Sequence, residues 1–196
     1  MELKNYQKKV IGDLTRYMEL LNEQGSLGRT WHAFWEEKNV PVGYGGVPAY
    51  QDILPEVPNL CFKVPTGGGK TFLACNAIKP IFDALPLTKS KVVVWLVPSE
   101  AILSQTLAAL KNPSHPYRQK IDEEFGSRVE IYTKQELLNG QNFNITTVRE
   151  QLSIMVLSYD SFRGRKEALK ARQENSNLAP MAKALGEPVY PIENAD

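Results

Sequence analysis

The sequence predicts an α/β domain, a mostly parallel sheet flanked by helices and built around a glycine-rich turn. Three observations predict it. The stretch Val64-Pro65-Thr66-Gly67-Gly68-Gly69-Lys70-Thr71 lies between a short apolar run at 59–63 and a helical pattern at 72–78. Residues 91–97 and 153–158 are apolar runs without alternation, the pattern of strands covered on both faces in a parallel sheet. Leu3, Tyr6, Val10, Leu14, Tyr17, Leu20 and Leu21 recur at steps of three and four, one stripe along an amphipathic helix.

The glycine-rich turn carries the most chemistry. A strand, a turn of small residues and Lys-Thr opening a helix is the layout of a phosphate-binding loop. Small residues let the backbone approach crowded anionic oxygens, and successive N–H groups then cradle them at the positive end of the helix. Thr66, Gly67, Gly68 and Gly69 would form the cradle, Lys70 would reach the β- and γ-phosphates of ATP, and the Thr71 hydroxyl would hold Mg2+. The strict pattern has glycine six residues before the lysine; Val64 stands there, so the loop is a narrower variant.

Composition bounds the rest. The chain has 196 residues, 42% hydrophobic and 23% charged, enough for one full domain with a sizeable core. A net charge of +1 gives no global attraction to nucleic acid or membrane, so nucleic-acid contact needs a local patch or backbone dipoles. The two cysteines, Cys61 and Cys75, read as small buried hydrophobes rather than a disulfide or a zinc site. The N-terminal residues have no apolar signal region and no run of 18 apolar residues occurs, so a cytoplasmic protein without membrane partners is expected.

Along the chain, residues 3–22 form the first helix. Gln7 within it reads either as a solvated helix residue or as an amide that recognises adenine. Glycines and prolines punctuate residues 23–58, with a short helix near 30–37 whose Trp31 and Trp35 pack on the body of the domain; His32 reads as structural. Pro98 closes the strand at 91–97, and Ser99 caps a helix that carries Ile102, Leu103, Leu107 and Leu110 on one side. A polar helix at 115–125, a strand at 128–132, a brief helix at 134–138 and a turn at 139–142 follow. The strand at 153–158 ends in Tyr159-Asp160-Ser161-Phe162, before a charged helix at 163–173 and a loop-like end. Asp122-Glu123-Glu124 follows no buried strand and reads as a solvated helix face.

Together, Tyr6-Gln7, the loop 65–71, Val97-Pro98-Ser99 with Gln105, and Ser158-Tyr159-Asp160-Ser161-Phe162 occur in the order of motifs Q, I, Ia and the one ending the strand before the DEAD box in superfamily-2 helicases and translocases. The wording Val-Pro-Thr-Gly-Gly-Gly-Lys-Thr with Leu-Ser-Tyr-Asp-Ser-Phe most resembles the restriction subunit of type III restriction enzymes. The resemblance covers nearly the whole chain. It implies a RecA-like P-loop domain of an ATP-driven DNA translocase, with ATP and Mg2+ as cofactors. Gln7, with Tyr6 beside it, would select adenine. Pro98, Ser99, Gln105, Ser158, Tyr159 and Phe162 would face the nucleic-acid backbone at the carboxyl edge of the sheet. The expected partners are DNA rather than RNA, a second RecA-like domain and nuclease domain of the same polypeptide, and a methyltransferase subunit.

This family hydrolyses ATP with a second acidic motif at a strand end. Asp160 has no following Glu, and no such pair stands elsewhere on an apolar strand. The expected organisation is therefore a Tyr-Gln helix at 1–22, an irregular insertion at 23–58, and at 59–196 the front of the first RecA-like domain, ending before the acidic motif. Such a piece alone would bind nucleotide weakly and hydrolyse almost none. A different superfamily-2 helicase acting on DNA or RNA, a P-loop phosphotransferase, and a non-catalytic nucleic-acid-binding module are the competing readings. A phosphotransferase would want several arginines soon after the loop, and 79–98 offers none.

Overall fold

In a computed structural model, residues 1–85, 90–140 and 142–159 are described. The helices are α1 (Asn5–Gln24), α2 (Leu27–Glu37), α3 (Lys70–Asp83), α4 (Glu100–Lys111), α5 (Pro116–Phe125), α6 (Lys134–Leu138) and α7 (Ile145–Glu150). The strands are β1 (Lys91–Val97), β2 (Val129–Tyr132) and β3 (Leu152–Ser158). They form one sheet in the order β1-β3-β2, and both pairings are parallel. The protein is therefore an α/β fold with a small parallel sheet flanked by helices.

The central strand explains itself by composition. Leu152, Ser153, Ile154 and Val156 of β3 are almost wholly buried, as expected for a strand hydrogen-bonded on both edges and covered on both faces. One hydrophobic core joins Ile154 and Val156 to Val129 and Ile131 of β2, Leu110 of α4, Ile121 of α5, and Cys75 and Ile78 of α3. A second core joins Leu14, Tyr17, Met18 and Leu20 of α1 to Phe34 of α2 and Ala77 of α3. Helix α3 thus contributes to the sheet's core through one side and packs on the α1–α2 pair through another. That is why its residues 72–78 are buried almost without interruption, Ala74 excepted.

Corrections to the sequence reading follow from the position of β1. Among the described residues it is an edge strand, and Val94 (54% exposed) and Leu96 (43%) are open to solvent instead of covered. Residues 59–63 are not a buried strand: they belong to no strand, and Cys61 and Phe62 are exposed. An extended segment becomes a strand only when a neighbour takes its backbone hydrogen bonds. Among the described residues the sheet ends at β1, and Leu60 packs instead on the α1–α2 core. Ile102 is likewise exposed, since α4 turns Thr106, Ala109 and Leu110 inward. Helix α5 is not polar throughout, because Ile121 is 0% exposed, and its Asp122 is half-buried in an ion pair with Arg118 (Nε to Oδ1 2.8 Å) rather than solvated. The segment 163–173, the loop-like end and residues 86–89 lie outside the described residues.

Caps and ion pairs fix the outer layer. The Arg16 guanidinium of α1 reaches Glu37 of α2 through Nη2 to Oε1 (2.6 Å) and Nε to Oε2 (3.0 Å). Both groups are exposed, so this aligns the helices more than it stabilises them. Glu136 closes a capping box with Thr133 at the start of α6 and meets the Lys111 ammonium of α4 at 2.8 Å. That ammonium, then the Thr133 N–H and hydroxyl, lower its carboxyl from 4.5 to about 2. A depressed folded-state pKa gives stability that is present above the unfolded value and lost as pH falls toward the folded one. The window runs from about 4.5 down to about 2. Glu136→Gln is expected to flatten the acid loss of stability in that window, measured as urea midpoint against pH; an unchanged slope would count against the pairing.

Candidate functional site

The turn leading into α3 is tight. The Gly68 N–H donates to the Pro65 carbonyl at 3.0 Å, closing a four-residue turn whose third residue, Gly67, has φ 74°. A left-handed third position is what glycine supplies in such a turn. Gly69, at φ 71°, is the N-cap of α3. Its left-handed φ favours glycine, and a Cβ built there would stand 2.7 Å from Gln7 Nε2, so a larger residue would displace that amide. Thr66 is exposed and Thr71 half-buried. Lys70 is exposed, and its ammonium donates to the Pro65 carbonyl at 3.0 Å.

Helix α1 supplies the other wall. Tyr6 Oη donates to the Gly68 carbonyl at 2.6 Å, and Gln7 Nε2 donates to the same oxygen at 3.0 Å. Gln7 is only 4% exposed, and its Oε1 accepts from the Lys4 N–H at 2.9 Å. A solvated Gln7 is thus overturned. The signal was present in the spacing, since Gln7 stands four residues after Leu3 and three before Val10 on the buried stripe. A primary amide has two donors and two acceptor positions, so Gln7 keeps one of each free.

Lys70 also lines a cleft of about 660 Å³ with Phe62, Val64, Leu73, Trp95 and Leu96, which brings the start of α3 beside the C-terminal part of β1. There β1 and β3 end side by side, with Val97 opposite Ser158. Pro98 is exposed, and Ser99 Oγ accepts from the Ile102 N–H at 3.4 Å as the N-cap of α4. The Ser158 hydroxyl is buried and donates to the Glu100 carboxylate, while Tyr159 is 57% exposed. Gln105 is exposed farther along α4. The structure therefore gathers Pro98, Ser99, Ser158 and Tyr159 at one sheet edge; Phe162 and Asp160 lie outside the described residues.

Sequence reasoning missed two participants here. Glu100 ties the ends of β1 and β3 together, and its only signal was its place directly after a capping serine. The Pro65 carbonyl accepts from both Gly68 and Lys70, a backbone role that no residue pattern announces. Burial pushes the Cys75 thiol up to about 12, so it stays protonated at neutral pH and packs as a hydrophobe. Cys61, by contrast, is exposed. Among the described residues, no group of three His, Cys, Asp or Glu could hold a metal ion, and no helix is long and apolar enough to cross a membrane.

A glycine-built turn at the N-terminus of a helix, beside the C-terminal edge of a parallel sheet, defines a class: α/β proteins that bind ligands at that edge. Within that class, a family model described as type III restriction enzyme, res subunit, matches residues 1–181, and the chain belongs to that helicase-like family. No curated protein and no solved structure matches it.

Proposed function

We propose that this chain is the ATP-binding front of the restriction subunit of a type III restriction-modification system, a DNA translocase driven by ATP. The observation that carries the reading is the loop itself. Two left-handed glycines and an exposed lysine open α3, in a chain whose residues 1–181 match the restriction-subunit family. The residues suit a nucleotide: the left-handed φ of Gly67 and Gly69 shapes the turn without a Cβ, and the first turn of α3 has N–H groups without intrahelical partners.

In this reading Thr66, Gly67, Gly68 and Gly69 wrap the triphosphate, and Lys70 leaves the Pro65 carbonyl to meet the β- and γ-phosphates. Thr71 holds Mg2+, which neutralises charge on the phosphates when bound. The free N–H and free acceptor position of Gln7 suit adenine N7 and the adenine amino group. Pro98, Ser99, Gln105, Tyr159 and Phe162 meet the backbone of DNA, with Ser158 setting the edge through Glu100. The acidic pair for hydrolysis, a second RecA-like domain and a nuclease domain come from the rest of the same polypeptide, and a methyltransferase subunit is the partner protein. The protein works in the cytoplasm.

Two measurements test this. The isolated chain is expected to show almost no ATP turnover, and steady turnover by the clean polypeptide would mean the Mg2+ acid lies within it. In the full-length enzyme ATP turnover is expected to rise on adding duplex DNA. Stimulation by RNA alone would favour an RNA helicase instead, and stimulation by neither a phosphotransferase or a binding module.

A further inference from the structure

We propose that Tyr6 is a positioning residue for the phosphate loop, acting through the Gly68 carbonyl rather than touching the nucleotide. The proposal rests on the nucleotide reading above and deepens it. Tyr6 Oη and Gln7 Nε2 converge on one oxygen, at 2.6 and 3.0 Å, from a helix more than sixty residues earlier in the chain. In a trans peptide the carbonyl and the following N–H point in opposite directions, and the described chain has no cis peptide. Pinning the Gly68 carbonyl toward α1 therefore turns the Gly69 N–H away from α1. An unpinned peptide between two glycines would be free to rotate, because neither residue has a Cβ to hold it. Rotation would swap a donor for an acceptor on the side where phosphate oxygens must lie.

The two bonds differ in kind. Gln7 is buried and also holds the Lys4 N–H, so its amide serves α1 as well as the loop. Tyr6 is 41% exposed, and among the described residues the only hydrogen bond of its hydroxyl is the one to Gly68. Removing that hydroxyl changes the loop while leaving the ring and the helix in place. A base-independent effect on phosphate binding is the consequence that separates a loop-positioning residue from one that contacts adenine.

The test is a titration of the 15N-labelled chain, followed by amide shifts of Gly67–Gly69, with Mg·ATP and separately with Mg·tripolyphosphate, which has no base. One hydrogen bond is worth roughly a five-fold change in affinity. Tyr6→Phe is expected to weaken both ligands by that same factor. Gln7→Ala is expected to weaken ATP more than tripolyphosphate. Tyr6→Phe leaving both affinities unchanged, weakening ATP alone, or tightening either ligand would each overturn the proposal. Comparing the two losses on the same folded sample keeps the result readable even if the melting temperature shifts. Wild-type chain that binds neither ligand would instead sink the nucleotide reading, and the role of Tyr6 with it.

Discussion

Lys70→Ala is expected to lower ATP turnover of the full-length enzyme by about a hundred- to a thousand-fold, the loss seen when one preorganised electrostatic contact to developing charge is removed. Its melting temperature should not change. Lys70 is exposed, and its one hydrogen bond among the described residues, to the Pro65 carbonyl, shares that oxygen with the Gly68 N–H. No core contact is lost with it, so a fall in turnover without a fall in stability marks a functional lysine. If the variant kept its turnover, the triphosphate would have to be held elsewhere. If binding of DNA survived and nothing else depended on Lys70, a non-catalytic module would be the better reading.

The second large effect is on the fold. Ile154 is 0% exposed at the middle of β3, opposite Val93 on one side and Ile131 on the other. It shares one core with Leu110 of α4, Ile121 of α5, and Cys75 and Ile78 of α3, so the site has little room to collapse. Ile154→Ala is expected to cost about 2–5 kcal/mol, the range for large-to-small changes in packed cores. That is a drop of roughly 5–15 °C in Tm for a domain of this size. Urea denaturation gives the free energy directly, and a cost below about 1 kcal/mol would mean that β3 is not the centre of the packing.

How much of this was legible in the sequence depends on whether the signal was local. The stripe from Leu3 to Leu21 and the apolar runs at 91–97 and 153–158 are local patterns, which survive without knowing the neighbours, and they gave α1, β1 and β3 to within a residue or two at the ends. Strand status at 59–63 was not legible, because three apolar residues in a row say nothing about whether a partner lies alongside. The openness of β1 was hidden for the same reason: Val94 and Leu96 look like core residues until the sheet order puts them at an edge. At the candidate site, the glycines and Lys70 announced themselves by type and spacing. The junction of Tyr6 and Gln7 with the Gly68 carbonyl is long-range and uses a backbone atom, so no residue pattern encodes it. The same holds for the bond between Ser158 and Glu100, which exists only because two parallel strands end in register.

The central claim is that the turn from Thr66 to Thr71 takes the triphosphate of ATP. The most direct measurement is a crystal structure of the protein with Mg2+ and a non-hydrolysable ATP analogue. The account predicts Lys70 Nζ released from Pro65 and within about 3 Å of β- and γ-phosphate oxygens, with the Thr71 hydroxyl on the metal. An analogue bound away from this turn, with the Lys70 ammonium still on the Pro65 carbonyl, would contradict it.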